Sequence, residues 1–276
     1  MKTKNAPKSV HELAPALIQA WRQIVQSPGP HDFLQTREFR LCVSKVLDIQ
    51  QRLKNNQPFS SLWKDNVLMG AYMAYFWPIH YQQARHLFHQ KNQRLGNIWI
   101  FDAGAGAYTV AALECGASHV TAFEGLDRCR MEVSKFVAKM GHTLSMQSWK
   151  FPSLPQTGDD LADTIVLGHG LTPGQDLIQW VKPWVKWICS LAQKLSPGGR
   201  FIIVTSSDPL HKKALQALKK ELEEHLSNTP LRDSGVIETL SFALERTQLM
   251  HDIMRSARRQ ELKSECEVWT LYRPGL

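Results

Sequence analysis

The 276-residue chain is predicted to be an α/β protein, a mostly parallel Rossmann-like sheet with helices on both faces, preceded by an all-helical N-terminal extension. Three observations carry that prediction. The stretch Asn97 to Glu124, NIWIFDAGAGAYTVAALECGASHVTAFE, reads as strand, glycine turn, helix, strand. Downstream of it, apolar runs of strand length keep alternating with helical stretches as far as Thr205, the pattern of a doubly wound sheet. The first ~95 residues instead show helical periodicity alone. A helical region over 1–95 and a ligand-binding α/β domain over 96–276 are therefore expected.

Ser9 and Glu12 form the S-x-x-E pattern of a capping box, and Leu13, Leu17, Trp21 and Val25 follow at helical spacing. Ser27-Pro28-Gly29-Pro30 ends that helix. A second begins near Thr36, carries Phe39, Cys42, Val43, Val46 and Leu47 on one side, and fades at Asn55-Asn56-Gln57-Pro58. A third is expected from about Ser60 towards Gln90, kinked at Pro78. Its uncharged portion, Asn66 to Ala84, is interrupted by Pro78 and turns polar at His80, too early for the roughly 20 apolar residues a bilayer requires. It reads as a buried helix. His86 and His89 share a helix face near His80, but no third ligand follows at useful spacing, so solvated or capping histidines are expected and no metal.

The central segment carries the chemistry. Ile98 to Phe101 is an apolar strand that stops at Asp102, followed by Ala103-Gly104-Ala105-Gly106 and a helix over Tyr108 to Cys115. Val120 to Phe123 forms the next strand and ends on Glu124, 22 residues beyond Asp102. In nucleotide-binding βαβ units an acid roughly 20 residues past the glycine turn binds ribose hydroxyls. The glycines let the backbone approach the ligand, and the helix N-terminus offers free N–H donors. Two departures from G-x-G-x-x-G separate a dinucleotide from S-adenosylmethionine: Thr109 stands where the third glycine would be, and the Asp102 carboxylate would repel a pyrophosphate. A ligand bearing an ammonium and a sulfonium suits that acid better.

Leu126 to Met140 is an amphipathic helix, Leu144 to Trp149 a third strand, and Asp163 to Leu167 a fourth that opens into Gly168-His169-Gly170-Leu171-Thr172-Pro173. Ligands bind at the carboxyl ends of strands in open α/β sheets, so His169 is a candidate base or orienting group, or else a loop histidine without a chemical role. Asp176 to Leu195 is a helix whose Trp180, Trp184 and Trp187 form a stripe. Such a stripe is more often core than a stacking platform. Ser196-Pro197-Gly198-Gly199 turns into a fifth strand, Arg200 to Thr205. Helices are expected over Pro209 to Leu226 and Ala243 to Leu262, and a closing strand over Glu267 to Tyr272. Arg255, Arg258 and Arg259 are close enough along the second of these helices to contact phosphates, although a solvated face is the simpler reading.

A hydrophobic content of 43% and a charged content of 21% describe an ordinary globular chain. Cys42, Cys115, Cys129, Cys189 and Cys266 are widely spaced and make neither a CxxC cluster nor a disulfide framework, which fits a reducing, cytoplasmic setting. The net charge of +8 favours a polyanionic partner, nucleic acid ahead of a membrane surface. The start, MKTKNAPKSV, leads into no apolar h-region, and no secretory signal is expected.

Together FDAGAGA, Glu124, DTIVLGHG and LSPGGRFIIV resemble the motifs of class I S-adenosylmethionine-dependent methyltransferases over roughly Asn97 to Tyr272. The resemblance implies that Asp102, Ala103, Gly104 and Gly106 line the methionine moiety and that Glu124 and Gly125 hold ribose. It places residues near Trp149 beside adenine and Gly168 at the fourth strand's rim. GAYMAYFWPIHYQQARHLF, just before the first strand, is similar to the lead-in of the small-ribosomal-subunit methyltransferase-like family, with Tyr72, Pro78 and Tyr81 on its outline. That likeness implies ribosomal RNA or the small ribosomal subunit as partner and Tyr72 and Tyr81 as substrate contacts. The cysteine clusters of that family's mitochondrial members are absent here. Also absent are an NPPY or DPPY tetrapeptide after strand four and a Pro-Cys nucleophile, so methyl transfer would rest on positioning the acceptor in line with the sulfonium. A silent ribosome-binding or assembly module, and a small-molecule methyltransferase lidded by the N-terminal helices, are the alternatives.

Overall fold

A computed structural model describes residues 7–26, 36–54, 65–89, 94–171, 173, 176–256 and 263–275. The expected stops at Ser27–Pro30 and Asn55–Pro58, the start at Ser60, Thr172, and Arg258 with Arg259 lie outside the described residues. Helix α1 spans Val10–Val25, with the Ser9/Glu12 capping box formed in both directions. Helix α2 spans Arg37–Lys54, and Thr36 Oγ1 accepts from Phe39 N.

The third helical stretch is continuous but not uniform. Helix α3, Asn66–Ala71, is capped by Asp65 and passes into a π-helical turn, Tyr72–Phe76, and then α4, Trp77–His89. The disruption expected at Pro78 is taken up just before it. A proline has no N–H and its ring crowds the carbonyl four residues back, and here the Trp77 N–H reaches Tyr72 O, one residue further than in an α-helix.

The α/β part follows as β1 Asn97–Phe101, α5 Ala107–Glu114, β2 His119–Glu124, α6 Asp127–Lys139, β3 Ser145–Ser148 and β4 Ala162–Gly168. It continues with α7 Leu177–Leu191, β5 Leu195–Ser206, α8 Pro209–Glu223, β6 Arg232–Ala243, α9 Gln248–Ser256 and β7 Lys263–Tyr272. The seven strands of the described residues lie in the order β3-β2-β1-β4-β5-β7-β6. The first five are parallel, and β7 runs antiparallel between β5 and β6. The direction of winding reverses between β1 and β4, paired through Ile98↔Thr164 to Phe101↔Leu167. Crevices for ligands open at such switch points.

Strand alternation divides the core cleanly. Ile98, Ile100, Val120, Ala122, Val166, Ile202 and Val268 face one layer, shared with α1 to α6 and α9. Trp99, Phe101, Phe123, Ile165, Phe201 and Trp269 face the other, with α7 and α8. Trp184 and Trp187 are buried in this second layer, as a packing stripe would be.

The first layer binds the N-terminal helices to the sheet's own helices. Arg85 pairs with Glu245, whose other carboxylate oxygen accepts from Val10 N at 3.2 Å, and Gln82 bonds the Glu245 backbone through both its amide atoms. Gly70 lies where α3 crosses α1, and a Cβ there would come within 2.4 Å of Val25 Cγ1. Gly70→Val is expected to destabilise the fold by about 1–3 kcal/mol through overpacking, read as a lower urea midpoint at unchanged slope.

The C-terminal third departs from expectation. A long helix over Ala243 to Leu262 is replaced, among the described residues, by the end of β6 at Ala243 and the short α9. Strand β6 itself was not foreseen. Among the described residues it pairs only with β7 and is largely solvent-exposed, so it carries no apolar alternation to mark it. No helix among the described residues is long and apolar enough to cross a membrane.

Candidate functional site

The site is built at the carboxyl ends of β1, β2 and β4. Strand β1 ends at Asp102, which takes the left-handed backbone conformation at φ 54°. For a residue other than glycine this is strained, and such strain persists where the surroundings fix it. The turn behind it is tight: Ala103 N donates to Phe123 O at 3.1 Å and Gly106 N to Ala103 O at 2.8 Å. Gly104 and Gly106 both have positive φ, and a Cβ on Gly106 would lie 2.7 Å from Val133 Cγ1. Glycine is therefore required there by both conformation and space.

Glu124, at the end of β2, holds this turn. Its Oε2 accepts from Gly104 N at 2.7 Å and its Oε1 from Leu126 N at 2.9 Å. The side chain is buried, and burial pushes its carboxyl above the usual range although these N–H donors pull the other way. Asp102 differs. Its carboxylate is open to solvent but closely surrounded by protein, at the bottom of a recess. Poor hydration, and then the charge on Glu124, raise it to about 7.

The roof of the recess comes from the N-terminal helices. The Tyr72 hydroxyl lies 2.7 Å from His80 Nδ1. The His80 ring stacks on His169 with centroids 4.3 Å apart and planes 16° from parallel. His169, just past β4, also has positive φ (60°), and its N–H bonds Val204 O. Its Nε2 is 2.8 Å from Gln83 Oε1, and Gln83 Nε2 donates to Ser264 Oγ at 3.1 Å. Beneath, the Tyr108 ring packs under Gly168, and its buried hydroxyl has no hydrogen-bond partner among the described residues. Trp77 ties roof to turn: its Nε1 donates to Ala105 O at 2.8 Å.

Asp102, Ala103, Gly104, Gly106, Glu124, Gly125, Gly168, His169 and Tyr72 thus gather around one recess. Two other candidates sit differently. The Tyr81 ring lies flat on Trp77, fully buried, and its hydroxyl donates to Lys8 O at 2.6 Å, so its contacts are those of a packing residue. The Trp149 indole turns into the second core layer against Phe101 and Trp187, with Nε1 donating to Ser153 O. Only the Trp149 backbone borders the site, where its carbonyl would lie 2.8 Å from a Cβ on Gly125.

Sequence reasoning passed over His80 as a site residue and gave no role to Gln83. No local signal sets them apart, since α4 also carries Gln82, Arg85, His86 and His89. No cluster of three or more potential metal ligands occurs among the described residues. A cleft of about 890 Å³ lined by Arg94, Gly96, Ser118, Asp163 and Arg200 opens at the other end of the sheet. It lies at the amino ends of the strands, away from the switch point.

No family model matches the chain, and no curated protein sequence matches it. Among solved structures it is similar to a methyltransferase from Pyrococcus furiosus, with 12% identity, a TM-score of 0.48, and 70% of this chain and 82% of that one covered. It is similar to the N-methyltransferase NodS from Bradyrhizobium japonicum, with 13% identity, a TM-score of 0.44, and 71% and 97% covered. A third is a ribosomal protein methylase from Lactobacillus delbrueckii subsp. bulgaricus, with 17% identity, a TM-score of 0.44, and 70% and 78% covered. Likeness at this level carries no information about an acceptor.

Proposed function

We propose that the chain is an S-adenosylmethionine-dependent methyltransferase acting on a polyanionic substrate, with ribosomal RNA the first candidate. The observation that carries the cofactor reading is the solvent-open Asp102 carboxylate on the β1 tip, beside a glycine turn whose backbone is clamped by Glu124. A dinucleotide pyrophosphate would meet that carboxylate with repulsion, whereas an ammonium or sulfonium would be attracted. The residues present fit the cofactor. Asp102 and the Gly104 turn take the methionine end, Glu124 and Gly125 stand where ribose hydroxyls would be bound, and Gly170 brings backbone close, since a Cβ there would lie 2.9 Å from Asp102 Oδ2.

Bound there, the cofactor supplies an electrophilic methyl group on a positively charged sulfur. The chain's own part is to hold that cation, exclude water beneath the α3–α4 roof and orient the acceptor. The RNA reading rests on the net charge of +8. A small-molecule acceptor is the second reading, supported by the roof that Tyr72 and His80 lay over the recess. Binding of RNA with a salt slope of several phosphate contacts favours the first, and salt-independent turnover of a small acceptor the second.

Calorimetric titration with S-adenosylmethionine tests the cofactor reading. Saturable binding is expected, weakening as the pH falls through about 7 because a protonated Asp102 no longer attracts a cation. Asp102→Asn is expected to weaken binding at least about tenfold at pH 8 while making the apoprotein more stable there. The fold raises this carboxyl from 3.8 to about 7, so it favours the neutral form. Stability is therefore lost as the pH rises from about 4 to 7, and Asn removes that loss. Because the carboxylate is open to water on one side, screening leaves about 1 kcal/mol of gain at pH 8 and none below pH 4. Absence of binding by the unsubstituted protein at millimolar cofactor would sink the enzyme reading and favour a silent assembly module.

A further inference from the structure

The geometry points to a proton-abstracting acceptor subsite: we propose that His169 Nδ1 is the general base for methyl transfer to a neutral acceptor bearing an N–H or O–H, and that Gln83 sets its tautomer. This rests on the cofactor reading above and extends it to the acceptor's chemistry.

With the Gln83 amide nitrogen placed on Ser264 Oγ at 3.1 Å, its Oε1 faces His169 Nε2 at 2.8 Å. An acceptor oxygen there requires the proton on Nε2. Nδ1 is left with a lone pair, and no described residue donates to it. The positive φ of His169 and its N–H bond to Val204 O fix the backbone at the rim, and the parallel His80 ring fixes the imidazole plane.

The groups facing this histidine are His80 and Gln83 from α4, Tyr108 from α5 and His211 from α8. None of them carries a negative charge at neutral pH. Burial, with His80 and His211 adding to it, holds His169 neutral well below the ordinary histidine range, and burial holds His80 down to about 4. Both rings are therefore neutral at pH 7. His80 in turn is bonded to Tyr72, whose hydroxyl feels the negative charge of Asp102.

The balance of the step is simple. The acceptor's lone pair forms the new bond to the methyl carbon, the S–CH3 bond breaks with its electron pair going to sulfur, and the acceptor's proton passes to His169 Nδ1. Thiolate-assisted methylation of carbon does not fit. Cys129, beside Glu124 and Asp102, and Cys266, beside Tyr108, are fully buried, and burial pushes both thiols up, Cys266 to about 12.

The test uses the full chain with S-[methyl-3H]adenosylmethionine and two acceptor pools, total cellular RNA and a desalted metabolite extract, followed across pH 4 to 9 at cofactor concentrations that saturate the site at every pH, so that the acid limb reports the base and not the protonation of Asp102. The methyl group is expected on nitrogen or oxygen. His169→Asn should lower transfer at least about 100-fold while calorimetry still shows cofactor binding within about threefold. Gln83→Glu should move the acid limb of the rate profile up by about one pH unit, because a carboxylate against Nε2 favours the imidazolium. A purely structural role for Gln83 would lower the rate without moving that limb. The proposal is overturned by a carbon-linked methyl, by His169→Asn keeping more than about a tenth of the activity, or by an unmoved limb in Gln83→Glu. It is equally overturned if neither pool is methylated by a protein that binds the cofactor. Failure of cofactor binding in the unsubstituted protein would instead bring down the enzyme reading itself.

Discussion

Glu124→Ala is expected to abolish S-adenosylmethionine binding and to lower the stability of the apoprotein together. The carboxylate accepts from the Gly104 and Leu126 amides at 2.7 and 2.9 Å and is almost fully buried. Removing it orphans two N–H groups and, on the proposed cofactor reading, deletes the acceptor for the ribose hydroxyls. A charge-assisted hydrogen bond is worth about 1.5–3 kcal/mol, but part of the gain is offset by the carboxylate's own burial, so a net loss of about 2–4 kcal/mol is expected. Thermal unfolding should drop by roughly 4–12 °C. Glu124→Gln separates the two roles: the amide oxygen still accepts one N–H, so stability should fall less than binding. Unchanged cofactor affinity in Glu124→Ala would show that Glu124 is a scaffold for the turn and no part of the ligand site.

Trp77→Ala is expected to cause the largest loss of stability. The indole is fully buried, stacked on Tyr81 at 5.4 Å and edge-on to Phe136 at 5.3 Å. Truncating such a side chain costs about 3–5 kcal/mol in transfer and cavity terms. Trp77→Phe refills most of the cavity and removes mainly the Nε1 hydrogen bond to Ala105 O, so it should cost about 1–2 kcal/mol. Because Ala105 belongs to the glycine turn, this milder variant should also weaken cofactor binding several-fold in calorimetry. If urea unfolding shows the loss in Trp77→Phe but cofactor affinity is untouched, the helical roof and the turn are coupled in packing alone.

The two substitutions probe information of different kinds. The run from Asn97 to Glu124 was legible because each of its parts is local: strand-length apolar runs, glycines required by positive φ or close approach, and acids at strand ends. The sheet follows in the same way from Val120–Phe123, Asp163–Leu167 and Arg200–Thr205, since a strand buried on both faces is apolar throughout. The capping box at Ser9 is equally local, its two hydrogen bonds spanning three residues. Strand β6 failed this kind of reading because an exposed edge strand takes its conformation from the ladder it joins rather than from its own side chains.

The composition of the roof was decided elsewhere. His169 and Gln83 are 86 residues apart in sequence, and Gln83 and Ser264 are 181 apart. Nothing in the periodicity of α4 distinguishes a glutamine that packs from one that orients an imidazole. Their meeting depends on the docking of α4 on α5, on the Glu245 and Trp77 hydrogen bonds, and on a π turn that advances the register before Pro78. The sequence by itself determined the α/β class, the glycine turn and the two acids at its strand ends, because short-range sterics and backbone hydrogen bonding act within a few residues. Only the tertiary structure decided that Tyr72, His80, Gln83 and His169 meet one another while Tyr81 and the Trp149 indole turn inward. Those placements are set by burial and packing between segments far apart in the chain, which no local pattern encodes.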